Sequence, residues 1–314
     1  LKASSHVQNH IKSKPKTKPL PTRLVTVEDY DHNPPTNLPI ETKEVKTKIK
    51  LCCLYLCTLN TRTLRTPESL HELELATENI KWDILGISEM RRIGEAIEER
   101  SQYVMYHKGE IAGQRGVGFL IKSKLKNRII GFEGISDRIA MIHINMPTYK
   151  KDWTIIQVYS PTEQANKTDI EEFYNSLSMV IEKYSGNNIV VMGDFNAQVG
   201  ARTAGEEHVI GNFGSGERSK NGEKLVEFLL EHNLMTLNSM FRKKSKWTWI
   251  SPDGKIKNEI DYILTNKPRL FSDTSVIKNL NFNTDHRMVR CCLSEQGTKK
   301  ARPKAVQVNF VSFE

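Results

Sequence analysis

The chain has 314 residues, 38% of them apolar and 26% charged, with a formal net charge of +9. That length is ample for a sizeable core, in one large domain or two small ones, and the composition is that of an ordinary water-soluble protein. No apolar run approaches the roughly 18–20 residues needed to span a bilayer, which argues against a membrane partner.

The basic excess sits at the two ends. Residues 1–50 hold ten Lys/Arg against five Asp/Glu and residues 295–314 hold four against two, leaving 51–294 at only +2. Residues 1–46 contain six of the twelve prolines and no apolar periodicity, so they are expected to form a disordered, basic Pro/Lys-rich tail. Residues 47–294 read as the folded domain and 295–314 as a linker or tail. The first residue is Leu rather than Met, so a fragment or processed product is expected. Cys52, Cys53, Cys57, Cys291 and Cys292 lack zinc spacing and read as buried, reduced thiols of an intracellular protein.

Leu51–Leu59 forms a first strand ending in Asn60, and Pro67 opens a helix through Asn79 with Leu70 and Leu73 inward. Ile84–Ser88 is a short buried strand followed directly by Glu89. Gly116–Ile121, Ile139–Met146 and Trp153–Tyr159 are further strands, the last broken at Ser160-Pro161. Thr168-Asp169-Ile170-Glu171 has the form of a capping box starting a helix that reaches Tyr184. Ile189-Val190-Val191-Met192 reads as a central strand buried on both faces, and alternation beyond Gly193 puts Asp194 and Asn196 on one side and Phe195 on the other. After a glycine-rich loop from Gly200 to Gly216, Asn221 is expected to cap a helix over Gly222–His232. Trp247–Ile250, the turn Ser251–Gly254 and Ile260–Leu264 read as a hairpin. Val276–Leu280 and Met288–Leu293 complete the strands. Neighbouring strands without helices between them exclude simple βα alternation and favour two mixed sheets packed face to face, with helices outside.

Polar residues recur where these strands end: Asn60, Glu89, Asp194 with Asn196, Asp261 and Asp285-His286. Each has a structural explanation of its own. Asn60 and Asp285 suit turns, Glu89 suits solvent, and His286 could be a satisfied core histidine. Together they would place two amides, four carboxylates and one imidazole at one edge. Oxygen ligands without cysteine select Mg²⁺ or Mn²⁺ over zinc, and a carboxylate–imidazole pair supplies a base or orients one. Such a set suits in-line attack of water on phosphorus.

Ser88-Glu89, Val158-Tyr159-Ser160-Pro161, Gly193-Asp194-Phe195-Asn196, Ile260-Asp261-Tyr262 and Asp285-His286 occur in the order found in the endonuclease/exonuclease/phosphatase superfamily, and the chain resembles that group from Ile49 to Leu293. The group includes exonuclease III, apurinic endonucleases and DNase I. Thr58–Leu64, Gly116–Phe119 and Trp247–Gly254 look like the endonuclease domain of RTE/BovB-type non-LTR retrotransposons, to which host proteins of the craniofacial development protein 2 type are also similar. The resemblance implies a four-layer α-β-β-α sandwich, DNase I-like, in an intracellular, nuclear DNA-nicking endonuclease that needs Mg²⁺, or Mn²⁺ in its place, and no organic cofactor. In such elements the domain can be continuous with a reverse transcriptase in a longer parent.

It also implies roles. Glu89 would be the principal metal ligand, with Asn60 and Asp285 near the ion. Asp194 would activate water or protonate the leaving oxygen, Asn196 and Tyr159 would orient phosphate, and Asp261 would hold His286 against the scissile phosphate. Ser88 and Thr284 stand where many relatives have Gln and Ser, and Arg62 stands where apurinic endonucleases carry an acid, which counts against dedicated abasic-site repair. Arg62, Arg65, Arg115, Arg242, Lys243, Lys244 and Lys246 are candidates for phosphate contacts, with a solvated loop an equal reading for 242–246. Trp249 is a candidate to stack on a base, or a core residue. Two other readings remain: a phosphatase of phosphoinositides or other small phosphoesters, and a captured domain that only binds chromatin or protein.

Overall fold

The apolar run around Val190 and Val191 becomes the middle of a sheet, as its lack of polar alternation requires. The structure, a computed structural model, describes residues 53–294; the tails expected at 1–46 and 295–314, and Cys52, lie outside them. In chain order the first elements are β1 (Cys53–Asn60), α1 (Pro67–Thr77), β2 (Ile84–Ser88), β3 (Gly94–Glu99), β4 (Tyr103–Gly109) and β5 (Val117–Lys122). Then come β6 (Ile129–Ser136), β7 (Ile139–Ile144), β8 (Trp153–Tyr159), α2 (Lys167–Lys183), β9 (Asn188–Asp194) and α3 (Lys220–His232). The last are β10 (Met235–Thr236), β11 (Trp249–Ile250), β12 (Lys257–Asn258), β13 (Asp261–Thr265), β14 (Phe271–Val276) and β15 (Val289–Ser294).

Two mixed sheets result. One has seven strands in the order β14-β15-β1-β2-β5-β4-β3, the other six in the order β10-β13-β9-β8-β7-β6. Leu56, Ile84 and Phe119 of the first meet Ile142, Trp153, Val190 and Met192 of the second in one core layer. Outside the six-stranded sheet, Phe173 and Leu177 of α2 and Leu225 and Leu229 of α3 cover Ile156 and Val191. Outside the seven-stranded sheet, Leu70 and Leu73 of α1 pack on Leu59, Leu85 and Ile87. Each such fully buried side chain contributes roughly 1.5–3 kcal/mol. The architecture is the expected four-layer α-β-β-α sandwich.

Several local expectations are corrected. The segment 247–264 is not one hairpin: β11 pairs with β12, while β13 joins β9 in the six-stranded sheet. The strand expected at Val276–Leu280 lies earlier, as β14, where it pairs antiparallel with β15. Asn166, not Thr168, caps α2, its side chain accepting the Asp169 N–H at 2.7 Å. Ser219 caps α3, and Asn221 lies buried inside that helix, donating to the carbonyls of Pro161 at 3.1 Å and Asn196 at 3.0 Å. β3, β4 and β6 went unread. β3 is almost wholly exposed and β6 only half buried, so neither carries an apolar signal. The four described cysteines are free thiols, and Cys57, Cys291 and Cys292 are buried as expected, while Cys53 is only partly buried.

Arg218 staples the loop after β9 by donating to both Glu206 oxygens at 2.7 Å, and Glu206 also accepts the Thr203 N–H at 2.8 Å. The hydrogen bonds from Arg218, with help from Thr203, hold the Glu206 carboxyl down at about 2 against the opposing effect of burial. Because the folded value lies below the unfolded one, the stabilisation is present above the unfolded pKa and is lost as pH falls through about 4.5 toward 2. Glu206→Gln should cost about 2–3 kcal/mol at pH 7 and almost nothing near pH 2. Urea denaturation of both proteins across that range measures the difference; a constant gap at all pH values would show that charge is not its source.

Candidate active site

Strand register assembles one end of both sheets into a cleft of about 440 Å³. β13 places Asp261 opposite Asp194, and β8 places Tyr159 beside it. From the other sheet, Asn60 ends β1 and pairs with Ser88 of β2, and Glu89 follows. Two glycines allow the approach. A Cβ on Gly86 would collide with the side chain of Gln157, and Gly193, at φ +152°, leaves no room for one against the Val158 carbonyl. Gln157 donates to Thr58 Oγ1 at 3.1 Å, forming a buried polar contact between the sheets beneath the site.

Asn60, 1% exposed, joins the two sheets. Its Nδ2 donates to Glu89 Oε1 at 3.1 Å and to Asp194 Oδ2 at 2.9 Å, while its Oδ1 accepts the Arg62 N–H at 2.9 Å. Glu89 also accepts from Tyr159 Oη at 2.8 Å and from Arg91 Nη2 at 2.9 Å. Burial pulls the Glu89 carboxyl upward, but the hydrogen bonds from Arg91, Asn60 and Tyr159 win and leave it below its ordinary value. Burial, with Glu89 and Asp194 nearby, drives the Tyr159 phenol far above its usual range, so it acts as a donor.

Asp194 is 1% exposed, and its Oδ1 accepts the Asn196 N–H at 2.9 Å. The strand ends at Asp194, and Asn196 is left-handed at φ 46°, so a turn rather than strand alternation brings the two together. Asn196 Nδ2 then donates to the Ser160 carbonyl at 2.9 Å. Burial, reinforced by Asp261, raises the Asp194 carboxyl to about 7. Asp261 Oδ2 lies 3.0 Å from His286 Nδ1, and His286 Nε2 lies 3.8 Å from Asp194 Oδ2. Burial alone would lower the imidazole, but Asp261, Asp194 and Asp285 outweigh it and hold it up at about 9. Thr284 Oγ1 accepts the His286 N–H at 3.1 Å and donates to the Asn60 carbonyl at 2.8 Å, fixing this loop to β1.

Asp285 accepts from Trp249 Nε1 at 3.0 Å, and its other oxygen, Oδ1, is buried without a hydrogen-bond partner, 3.7 Å from Arg62 Nε. That bond fixes the Trp249 ring at its edge, in the lining of the cleft. Donor atoms of Asp194, Asp261 and His286 lie within 4.8 Å of one another. A protonated ring engaged by Asp261 has no lone pair for an ion, however. Glu89 and the Asp285 oxygen that lacks a hydrogen-bond partner, both hard and anionic, are the better fit to a divalent cation. Asn60 as placed turns its NH₂ to the carboxylates and bridges them, rather than offering its oxygen.

Among the residues expected to meet nucleic acid, Arg62 and Trp249 line the cleft. Arg65 is exposed outside it, and Arg115 faces Asp137 at 3.5 Å. The run 242–246 does not form one patch. Arg242 and Lys244 are exposed, Lys243 pairs with Asp273, and Lys246 turns inward to the carbonyls of Asn238 and Phe213 near Glu259. The sequence reading missed Arg91, which looks like any solvated charge in Met90-Arg91-Arg92. It also missed Arg138, whose Nη1 donates to the Tyr159 carbonyl at 3.0 Å and so helps to hold Tyr159 in place.

A family model described as endonuclease-reverse transcriptase matches residues 153–290. Among solved structures, the endonuclease domain of TRAS1, a telomere-specific non-LTR retrotransposon, aligns with a TM-score of 0.55 and 15% identity, covering 78% of this chain and 100% of that one. The AP endonuclease LMAP from Leishmania major aligns with a TM-score of 0.59 and 14% identity, covering 78% and 88%. The chain has the endonuclease/exonuclease/phosphatase fold. It is also 32% identical over 225 residues to craniofacial development protein 2 of Bos taurus, an alignment covering 70% of this chain and 37% of that protein. The chain thus spans well under half of that relative.

Proposed function

We propose that this endonuclease/exonuclease/phosphatase-fold chain is a Mg²⁺-dependent phosphodiesterase that nicks DNA, of retrotransposon origin. The observation that carries the reading is the convergence of Glu89, Asp194, Asn196, Asp285 and His286 on one cleft, with Asn60 and Asp261 bonded to them from beneath, from five separate strand ends. A structural role requires none of them to meet there. Glu89 and Asp285 would hold the ion, which supplies charge neutralisation on the phosphate. Asp194, oriented by Asn60 and by the Asn196 amide, takes the proton of the attacking water. His286, held by Asp261, presents Nε2 toward the phosphate beside Asp194, and Tyr159 and Arg138 keep Glu89 aimed. Arg62 and Arg91 line the cleft, and Arg65, Arg242 and Lys244 are exposed basic side chains free to meet DNA phosphates outside it. We further place the protein in the nucleus, with residues 47–294 as the catalytic domain between basic tails at 1–46 and 295–314.

Incubation with supercoiled plasmid tests the reading. Nicked circles should accumulate with Mg²⁺ or Mn²⁺ and not with EDTA, and Ca²⁺ should restore little or no cleavage. Robust nicking in EDTA removes the ion from the mechanism, and turnover of small phosphoesters with intact plasmid makes the protein a phosphatase.

A further inference from the structure

Arg91 is placed to do more than neutralise Glu89. Among the described residues six non-glycine residues are left-handed: Asn233 ends a helix, and the other five, Arg62, Glu89, Arg91, Arg115 and Asn196, sit in or beside the cleft. Such backbone costs about 1–3 kcal/mol per residue and persists where the surroundings fix it, most often at functional sites. For Arg91 the main chain is fixed by its N–H to the Arg115 carbonyl at 2.8 Å, and its carbonyl accepts the Gly113 N–H at 3.3 Å. Its side chain is not fixed in the same way. The side chain is 41% exposed, and its guanidinium donates to Glu89 Oε2 at 2.9 Å and leaves the buried Nε–H without a hydrogen-bond partner.

We propose that Arg91 is a displaceable counter-ion, which holds Glu89 while no divalent cation is bound and passes to a phosphate of the bound strand when one is. The inference rests on Glu89 serving as a ligand of the ion. A guanidinium and a divalent cation cannot both take the same carboxylate oxygen at full strength, so the ion must compete with Arg91. Once released, Arg91 remains in the cleft beside Arg62, on a fixed backbone, with a planar donor face suited to two phosphate oxygens. Arg62, 3.7 Å from Asp285 Oδ1, forms a second and looser pair of the same kind. Cation and phosphate binding are then coupled through one side chain, and the coupling is reciprocal.

The test is Mn²⁺ binding to the DNA-free chain, measured from the free-ion paramagnetic resonance signal, for wild type, Arg91→Met and Arg91→Lys. Arg91→Met should bind Mn²⁺ about five- to tenfold more tightly, and Arg91→Lys should stay near wild type. Adding a short DNA duplex should tighten Mn²⁺ binding in wild type and do so less in Arg91→Met. Unchanged or weaker Mn²⁺ binding in a folded Arg91→Met protein overturns the inference while leaving the proposed activity intact. Should that variant fail to fold, the wild-type protein decides: no effect of the duplex on Mn²⁺ binding overturns it equally. A wild-type chain that binds no Mn²⁺ overturns both readings.

Discussion

Asp194→Asn should lower the nicking rate by about 10²–10⁴-fold while leaving DNA binding within a few-fold of wild type. The substitution keeps shape and volume but removes a buried carboxylate that touches Asn60, Asn196 and the neighbourhood of His286 together. Both oxygens of Asp194 accept N–H groups, so an amide must turn its NH₂ toward one of them and lose that hydrogen bond. The fold should tolerate this. Relief of repulsion between Asp194 and the facing Asp261 offsets part of the lost bond, since two buried acids no longer share one space. Rate and stability therefore move differently. Single-turnover nicking in Mg²⁺, with duplex binding measured in Ca²⁺ and a thermal melt, separates them. A variant that nicks within tenfold of wild type would exclude Asp194 as the group that takes the proton.

Which parts of this were legible in the sequence follows from how each signal is written. Val190 and Val191 carry their own evidence, because a β-branched run buried on both faces has no other use. Strand-end polar residues were legible as a set, since chain order and a terminal position are both visible in one dimension. Side-chain direction was not. Asn196 reaches Asp194 through a left-handed turn, which strand alternation cannot foresee, and the Trp249–Asp285 bond spans 36 residues. Lys246 shows the same limit. Beside Arg242, Lys243 and Lys244 it reads as surface charge, yet only its neighbours in space, Glu259 and two carbonyls, determine that it turns inward. β3 failed for another reason: an edge strand exposed along most of its length needs no apolar residues, so it leaves no pattern to read.

Asp261 and His286 should behave as one unit. Asp261→Ala and His286→Ala are each expected to reduce nicking by about 10²–10⁴-fold, with the double variant little worse than either. The structural reason is the 3.0 Å contact between Asp261 Oδ2 and Nδ1, which fixes the ring plane and leaves Nε2 directed toward Asp194. Without the carboxylate the ring is present but free to turn; without the ring the carboxylate has nothing to orient. The two single variants should differ in stability, however. His286→Ala strands Asp261, which is fully buried and already has one oxygen without a hydrogen-bond partner, and an uncompensated buried charge costs about 3–5 kcal/mol. Asp261→Ala instead removes the partner that keeps the imidazole charged, so the ring can meet burial by losing its proton, at a smaller cost. The double variant should therefore recover much of the stability lost in His286→Ala without recovering rate. Nicking rates and urea midpoints for all four proteins complete the cycle. Additive losses in rate would show that the two side chains act on separate steps, and a double variant less stable than His286→Ala would show that the buried charge of Asp261 is compensated by something other than the imidazole.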